Sequence, residues 1–324
     1  MKSKLLVIAA ANNLNFLNDI IVALRRDFDV VALQVNQKTT IRDIHNLIRD
    51  ADCIWFEWFD GVVVDLLINE FTIKKFWRKK KVVLRVHRYE LFQDRLLGQL
   101  KLLEPEIIDR LVFVSEYVKH IGISYFPWME KGVVVPNLID MDKFPFHDRE
   151  RGYNLLMLGR ISYVKNLPFV LDMFNELLKL DSRYRLHIVG NIHEKELVYY
   201  LQNYIQKLKL DGKIMAHGHI PNDQLPEFMK DMHYICCSSI FESQGVGILE
   251  AMACGLKPVI FNFPGAETFF PDSCLYMDRK NFVMRIMEPH YNPIKNRDFV
   301  EIHYSIQQKI GLYKDLIQGV LDGN

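Results

Sequence analysis

The chain has 324 residues, of which 49% are hydrophobic and 25% charged, and its formal net charge is +1. This balance is typical of a folded globular protein and excludes disordered and collagen-like sequences. The near-zero net charge excludes a general electrostatic attraction to nucleic acid, so no nucleic-acid partner is expected. At about 150 residues per domain, the length predicts two domains.

The five cysteines are odd in number and show no CxxC spacing. Each lies in an apolar stretch, where a free cysteine behaves as a small buried hydrophobic residue. We therefore expect a reducing compartment, the cytoplasm. Lys2 and Lys4 precede an apolar run that is short for a secretion signal, and the strand–helix pattern that follows favours a buried strand. No charge-free apolar run reaches the ~18 residues of a membrane span.

Short apolar runs alternate with amphipathic stretches through the first half of the chain. The predicted strands are 5–10, 30–35, 53–59, 82–87, 110–115 and 133–139; the predicted helices are 16–27, 39–50, most of the segment up to Lys81, the segment between the fourth and fifth strands, and 115–126. We expect Ser115 to cap the last of these helices. Alternation of strands and helices implies parallel pairing in a doubly wound sheet.

The pattern restarts after a polar segment, 142–152, which is typical of an interdomain linker. The predicted strands are 154–159, 185–190, 213–220, 234–239 and 258–262; the predicted helices are 168–180, 195–210, 225–232, 246–254 and a tail from about Val300. The sequence thus predicts an α/β protein with two Rossmann-like, doubly wound domains facing across a cleft. We place the first domain at 1–148, the second at 149–298 and a C-terminal helix at 299–324.

The most informative stretch is SSIFESQGVGILEAMACGLKPVIFN, residues 238–262. Glu242 lies in a loop after a strand, and Gly245 and Gly247 flank the start of a helix that contains Glu250. A helix start attracts anions, and glycines let an anion approach the backbone, so this stretch indicates a phosphate site. Two carboxylates there can hold hydroxyl groups. On spacing alone, a capping glutamate and a solvated helix glutamate remain the simpler interpretation.

The second stretch is LGRISYVKNLPF, residues 158–169, which also joins a strand end to a helix. Arg160 offers a planar fork of donors and Lys165 a compact charge, and together they suit a diphosphate leaving group. An exposed cluster of loop charges is the alternative interpretation.

These segments resemble the nucleotide-sugar domain of the family 4 retaining glycosyltransferases, which have the GT-B fold. The resemblance rests on GRISYVKN, the strand ending at Gly190, HGHIPNDQLPEFM and FESQGVGILEAMACGLKPVI, in that order. Glu242 and Glu250 match the E-x7-E motif of the family. The resemblance is strong over 154–265 and weaker in the first half, where VSEYVK and VVPNLIDMDKF carry it. It implies that the first domain binds the acceptor, the second binds the donor, and the C-terminal helix packs back on the first.

The resemblance also implies roles for individual residues. It implies contacts of Arg160 and Lys165 with the donor diphosphate, of Glu242 with the donor sugar and of Glu250 with the ribose. His87, at the end of its strand, resembles the family histidine that faces the transferred sugar; a structural hydrogen-bonding histidine is the alternative. The other donor-binding residues implied are Gly159, Gly190, Ser243, Gln244, Gly245, Val246 and Gly247.

Three positions depart from the family pattern. Ala11-Asn12-Asn13 stands where the family usually has glycines after the first strand, Leu138 where it often has glycine, and Asn166 where glycine is frequent. The first change alters a loop that would let the acceptor or a phosphate approach closely. The last change is mild, because asparagine tolerates left-handed backbone.

We expect no metal site. Asp140-Met141-Asp142 matches a DxD motif only formally, because a hard cation needs several oxygen ligands and no acidic partner follows nearby. His217 and His219 are expected to point to the same face of one strand. We favour a position near the nucleotide pocket for them over a metal site that both histidines would bind.

The expected function is a retaining hexosyltransferase that moves a sugar from a nucleoside diphosphate sugar, with UDP favoured over GDP, to an acceptor hydroxyl. The acceptor is expected to be a glycan or glycolipid of surface assembly, and no cofactor is required. A GT-B phosphorylase, an epimerase and a non-catalytic nucleotide-sugar-binding subunit are the alternatives. The basic run Lys74–Lys81, interleaved with aromatic residues, suggests peripheral contact with an anionic inner membrane face, or else a solvated helix end.

Overall fold

The computed structural model describes residues 2–10, 14, 17–35 and 39–323. It divides into unit 1, Met1–Leu138 with Ile306–Asn324, and unit 2, Ile139–Ser305. The sequence pattern placed these boundaries at 148/149 and 298/299. The first lies earlier in the structure because the linker belongs to unit 2, where Met141 and Phe144 pack in the core. Ala11-Asn12-Asn13 lies outside the described residues.

Strands and helices alternate through the first segment of unit 1. Its strands are β1 (Lys4–Ala10), β2 (Asp29–Val35), β3 (Cys53–Glu57), β4 (Lys81–Val86), β5 (Arg110–Phe113) and β6 (Val133–Val134); its α-helices are α1 (Asn18–Leu24), α2 (Ile41–Asp50), α3 (Val62–Asp65), α4 (Asp94–Leu100) and α5 (Glu116–Tyr125). The strands form one parallel sheet in the order β2-β1-β3-β4-β5-β6, which confirms the predicted pairing. The segment after α3 is a π-helix at Leu66–Ile73 rather than a long α-helix.

Both faces of this sheet are buried. Leu6 and Ile8 of β1 pack in the core on one face, and Leu5 and Val7 pack in the core on the other. Side chains of a strand alternate between the two faces, so a doubly covered strand reads as one continuous apolar run. This is why LLVIAA identified β1.

Unit 2 repeats the alternation. Its strands are β7 (Asn154–Leu158), β8 (Arg185–Val189), β9 (Ile214–Gly218), β10 (Tyr234–Cys237), β11 (Lys257–Phe261) and β12 (Leu275–Tyr276); its α-helices are α6 (Leu167–Leu180), α7 (Lys195–Leu208), α8 (Leu225–Met229), α9 (Val246–Ala253), α10 (Arg279–Met287) and α11 (Pro293–Tyr304). The parallel sheet has the order β12-β11-β10-β7-β8-β9. This is the Rossmann order, and its direction of winding reverses between β7 and β10. Loops at the carboxyl ends of these two strands therefore flank the place where such sheets bind ligands.

The chain returns to unit 1 in α12 (Ile306–Lys309) and α13 (Gly311–Asp322). Tyr313 of α13 is completely buried, stacks on Trp55 with ring centroids 5.8 Å apart, and donates its hydroxyl to the carbonyl of Pro136 at 2.9 Å. Elsewhere in unit 1, the predicted cap of α5 is confirmed, because the Ser115 hydroxyl accepts the amide of Val118 at 3.2 Å.

All five cysteines are buried and form no disulfide, as their apolar surroundings predicted. Burial raises the pKa of the Cys53 thiol to about 12, so this thiol stays protonated and unreactive near neutral pH. Across the described residues, no helix combines the length and the apolar character that crossing a membrane requires.

Candidate functional site

An ion pair joins the loops that follow β7 and β10. Lys165 Nζ donates to Glu242 Oε1 at 2.6 Å, and the Ser239 hydroxyl donates to the same oxygen at 2.6 Å. The two charged side chains are 21% and 16% exposed, so water screens this pair less than a pair on an open surface. The two motifs that the sequence showed separately thus form one cluster at the switch point of the unit 2 sheet.

Main-chain contacts hold the Lys165 loop in place. The Ser238 hydroxyl donates to the carbonyl of Lys165 at 2.6 Å, and the Ile240 amide donates to the carbonyl of Val164 at 2.9 Å. Asn166 precedes α6 with φ of +52°, the left-handed backbone that asparagine was expected to tolerate. The position of the lysine is therefore set by the neighbouring β10 loop.

Two of the predicted donor-binding glycines are required by close packing of the backbone. Gly190, after β8, has φ of +125°, and a Cβ there would lie 1.9 Å from the carbonyl oxygen of Gly159. Gly159, after β7, has φ of +122°, and its Cβ would lie 3.3 Å from Lys165 Nζ. Glycine at these positions lets two loops meet beside the lysine. A contact of either glycine with a donor stays a prediction.

The start of α9 lies directly after the Glu242 loop. Gly245 precedes it with φ of +80°, and a Cβ on Gly247 would lie 3.9 Å from Glu250 Oε2. The Glu250 carboxylate thus reaches back to the first turn, where helix amides have no carbonyl partner within the helix and the dipole is positive. Of the other predicted residues here, Gln244 is buried and Ser243 and Val246 are half-buried.

Arg160 is engaged by a different loop. Its exposed guanidinium hydrogen-bonds the ring of His193, and the amide of Tyr163 donates to Glu194 Oε1 at 3.3 Å. His193 and Glu194 were not among the site residues predicted from the sequence. Their position after a strand was a signal, because β8 lies beside β7 and its carboxyl end meets the same edge of the sheet. The structure thus joins Lys165 to Glu242 and joins Arg160 to His193.

His87 follows β4 in unit 1, at the strand end that the sequence predicted, and is only 2% exposed. Its Nε2 lies 2.6 Å from Glu57 Oε1. The Trp58 ring stacks on the imidazole with centroids 3.7 Å apart and planes inclined by 13°. The histidine is therefore held on one edge and on one face.

The Glu57 carboxylate is completely buried and accepts hydrogen bonds on both oxygens. Trp55 Nε1 donates to Oε2 at 2.9 Å, and Arg85 Nη1 donates to Oε1 at 3.4 Å. Arg85 is also completely buried, and its Nη2 donates to Asn137 Oδ1 at 2.9 Å. Buried charges are tolerated when they are paired and hydrogen-bonded, and this pair meets both conditions.

A second buried carboxylate, Glu90, binds the main chain beside this network. Its Oε1 accepts the amides of His87 and Phe59, each at 3.1 Å. Glu57, Arg85 and Glu90 were not among the site residues predicted from the sequence. For the first two the signal was a charged residue inside an otherwise apolar parallel strand, where a charge needs a specific partner.

The protonation states in this network differ from one carboxylate to the other. Burial would raise the pKa of Glu57, but the Arg85 charge and the His87 contact together lower it. Burial lowers the pKa of His87, and the Arg85 charge adds to this effect while Glu57 opposes it. Burial raises the pKa of Glu90 to about 8. Near pH 7 the network therefore holds an ionised Glu57, a neutral His87 and a largely protonated Glu90.

No three side chains of His, Cys, Asp or Glu come together as a metal site in the part of the chain that the structure describes. Asp140 accepts the amide of Asp142 at 3.2 Å in a local turn. His217 Nε2 lies 3.0 Å from Nδ1 of His187 on β8. His217 thus pairs with a histidine of the neighbouring strand, and β9 ends at Gly218, before His219.

The basic run Lys74–Lys81 is engaged largely within unit 1. Its contacts are Lys74 with Glu70, Lys75 and Arg78 with Glu104, Lys80 with the carbonyls of Arg49 and Ala51, and Lys81 with Asp109. Trp77 packs partly buried against the core and meets the His45 ring edge-on, whereas Phe76 is 68% exposed. Of the two aromatic residues in this run, Phe76 is thus the more exposed.

The second part of the chain is similar to known glycosyltransferases. Residues 140–273 match the family model described as glycosyl transferases group 1. A GDP-mannose:cellobiosyl-diphosphopolyprenol alpha-mannosyltransferase of Xanthomonas oryzae pv. oryzae is 26% identical over 186 residues, which is 56% of this chain and 44% of that protein. An alpha-monoglucosyldiacylglycerol synthase of Streptococcus pneumoniae is 25% identical over 201 residues, again 56% of this chain and 44% of that protein. The matched part spans less than half the length of each relative.

Solved structures match nearly the whole chain. Anabaena HepE in complex with UDP has a TM-score of 0.77 at 14% identity, covering 98% of this chain and 100% of that one. The lipopolysaccharide outer core galactosyltransferase WaaB has a TM-score of 0.69 at 15% identity, covering 98% and 99%. At these identities the likeness establishes the fold, which is the fold that the sequence motifs predicted. Residues 140–273 therefore match the glycosyl transferases group 1 family model, and the chain has the GT-B fold.

Proposed function

We propose that the protein is a retaining glycosyltransferase that moves a sugar from a nucleoside diphosphate sugar to an acceptor hydroxyl. The observation that carries this proposal is the Lys165–Glu242 pair, 2.6 Å apart, beside the start of α9. A cation and a helix N-terminus suit the diphosphate. The carboxylates of Glu242 and Glu250 suit hydroxyl groups of the donor sugar and the ribose.

In the proposed reaction the bond between the anomeric carbon and the diphosphate oxygen breaks, and the acceptor oxygen bonds to the same carbon. The departing phosphate takes the acceptor proton, so the charge that Lys165 and α9 stabilise is that of the leaving group. Fixed charges of this kind usually supply the largest part of such catalysis. Arg160 becomes a second cation for the diphosphate when its bond to His193 is exchanged for one to a phosphate oxygen. Retention is inferred from the family resemblance.

We propose a UDP-sugar as the donor and a glycan or glycolipid as the acceptor, with neither cofactor nor metal. HepE was crystallised with UDP and with UDP-glucose, which supports UDP. The name of the mannosyltransferase relative specifies GDP-mannose, so GDP-sugars are the necessary comparison. The names of two relatives specify a diphosphopolyprenol and a diacylglycerol lipid, which supports a lipid-linked acceptor.

We also propose that unit 1 contacts the anionic inner face of a membrane beside the π-helix. Ile73 is 65% exposed and Phe76 is 68% exposed, and both lie next to Lys74 and Lys75. Apolar side chains among cations suit an interface with anionic lipid headgroups. Lys74 and Lys75 also pair within unit 1, with Glu70 and Glu104, but each side chain stays 51% exposed. Lys80 and Lys81 are less exposed and bind within unit 1, so they are left out of this surface.

The experiment is thermal stabilisation by UDP, GDP and their sugars, followed by release of the nucleoside diphosphate with candidate acceptors. A ligand at 100 times its dissociation constant stabilises by about 2.7 kcal/mol. Glu250→Ala should lose this response, and Glu176→Ala, on the exposed face of α6, should keep it. NMR of the product then gives the anomeric configuration.

Three results would contradict the proposal. Sugar 1-phosphate formed from inorganic phosphate would indicate a phosphorylase. Binding without turnover across the acceptor panel would indicate a non-catalytic subunit. If no nucleotide stabilises the protein at millimolar concentration, the proposal of a donor site is itself contradicted.

A further inference from the structure

The His87 ring has a fixed orientation. Glu57 holds its Nε2 edge at 2.6 Å, and Trp58 covers one face at 3.7 Å between centroids. Trp58 has φ of +70°, which a bulky residue rarely adopts, and its amide donates to the carbonyl of Arg85 at 3.1 Å. Backbone strain of this kind concentrates at functional sites, where the surrounding structure maintains it.

The contacts of Glu57 also determine which ring nitrogen of His87 carries the proton. The carboxylate accepts from Trp55 Nε1 and Arg85 Nη1, and an ionised carboxylate only accepts. The hydrogen between Glu57 and His87 therefore belongs to Nε2. A neutral imidazole protonated there has its lone pair on Nδ1. In the described part of the chain, the ring of His87 is hydrogen-bonded through Nε2, and its main-chain amide binds Glu90.

We propose that Glu57 is a positioning residue, which holds His87 as the Nε2–H tautomer so that Nδ1 accepts a hydrogen bond from a hydroxyl group of a bound carbohydrate. This inference rests on the proposed function and specifies the polar group that unit 1 would supply to it. A carboxylate that orients a histidine through its far nitrogen sets both the tautomer and the direction of the lone pair.

Glu90 is a matched control, because it is a second buried carboxylate that binds the same histidine. Its oxygens accept the His87 amide at 3.1 and 3.2 Å. Glu57→Gln and Glu90→Gln each replace one buried carboxylate with an amide of the same shape. The first change alters the partner of the imidazole, and the second alters only a partner of the main chain.

The first test reads the tautomer directly in the full-length protein labelled with ¹⁵N-histidine. The His87 signals are those missing from the spectrum of His87→Asn. We expect an unprotonated Nδ1 and a protonated Nε2 in the wild type and in Glu90→Gln, and a mixture of tautomers or the reverse tautomer in Glu57→Gln. A wild-type His87 protonated on Nδ1, or an unchanged tautomer in Glu57→Gln, would overturn the proposal.

The second test separates turnover from donor binding. Glu57→Gln should lower kcat for transfer about 10- to 100-fold and should leave stabilisation by the nucleoside diphosphate unchanged. Its kcat should also be well below the kcat of Glu90→Gln. Equal kcat in Glu57→Gln and the wild type would refute the positioning role while the proposed function stands. If the wild type transfers no sugar, the proposed function fails, and with it the carbohydrate-binding role of Nδ1.

A variant that fails to fold does not end the test. Glu57→Asp keeps the negative charge beside Arg85 but is shorter by one methylene, so its contact with His87 loosens. It should fold and still lose turnover. We expect Glu57→Asp to show a mixture of His87 tautomers together with this loss of turnover. Full activity in a variant that has lost the Nε2–H tautomer would overturn the proposal.

Discussion

Lys165 Nζ and Glu242 Oε1 lie 2.6 Å apart, although the two residues are separated by 77 positions in the chain. The cation and the carboxylate come from the loops that follow β7 and β10, the two strands between which the unit 2 sheet reverses its order. An anionic donor would compete with Glu242 for the ammonium group and leave the carboxylate for hydroxyl groups. The pair is thus a specific target for mutation.

We predict that Lys165→Met lowers the transfer rate about 10²- to 10³-fold, because the leaving diphosphate loses a preorganised cation. Nucleoside diphosphate release from the donor and acceptor together measures the effect. Lys179→Met is the control, since Lys179 forms an exposed pair with Glu176 on α6. Similar rates in both variants would show that Lys165 carries no such role.

Gly190→Ala should destabilise unit 2 by more than about 3 kcal/mol, because a Cβ 1.9 Å from the Gly159 oxygen forces two loops apart. Gly212→Ala is the comparison: Gly212 also has positive φ, +71°, but a Cβ there meets nothing within 4 Å. Its cost should be about 1–2 kcal/mol, from backbone strain alone. Denaturant titration measures the free energy of unfolding of both variants. Equal losses in the two variants would contradict the packing argument.

Tyr313→Ala should destabilise unit 1 by about 3–5 kcal/mol, as expected when a buried aromatic side chain is removed. Tyr313→Phe keeps the stacking on Trp55 and loses the hydrogen bond to Pro136, so it should cost about 1 kcal/mol. Leu312→Ala, at a neighbouring position that is 45% exposed, should change stability far less. Thermal unfolding checks all three, and a neutral Tyr313→Ala would show that α13 adds little to this core.

Glu90 should make stability fall as pH rises. Burial raises its pKa to about 8 from the ordinary 4.5, so between these values the folded protein binds a proton that the unfolded chain releases. This contribution is full below pH 4.5 and is lost as pH rises through about 8, with a slope of up to about 1.4 kcal/mol per pH unit. Glu90→Gln should flatten the dependence between these values. An unchanged profile in the variant would assign the dependence to other groups.

The membrane contact is tested by pelleting with anionic vesicles. Lys75→Glu with Phe76→Ser and Lys79→Glu should lower the bound fraction at least about tenfold, because each basic residue near an anionic surface adds about 1 kcal/mol. Lys207→Glu with Lys280→Glu is the control, because it makes the same change in net charge on unit 2 and should leave the bound fraction nearly unchanged. If the changes at Lys75, Phe76 and Lys79 leave the bound fraction unchanged, this surface is excluded as the membrane contact.

The strand pattern and the two loop motifs could be recognised from the sequence because they depend on local chemistry. A parallel strand buried on both faces is a continuous apolar run, and glycines, Lys165 and Glu242 stand at strand ends in a family-specific order. The helix expected before β4 is present as α3 followed by the π-helix at Leu66–Ile73, and it ends before the basic run up to Lys81. The first domain boundary shifted because Met141 and Phe144 are held by the core of unit 2.

The fold class, the parallel sheets and the resemblance of residues 140–273 to a family model follow from the sequence alone, because they depend on alternating hydrophobicity and on motifs of fixed spacing. The tertiary structure alone decided which charges meet. Glu57, Arg85 and His87 come from two adjacent strands, and Arg160 turns to His193 rather than to Glu242. Such pairings depend on strand order and loop path, which a linear sequence does not display, and burial then sets the protonation state of each group.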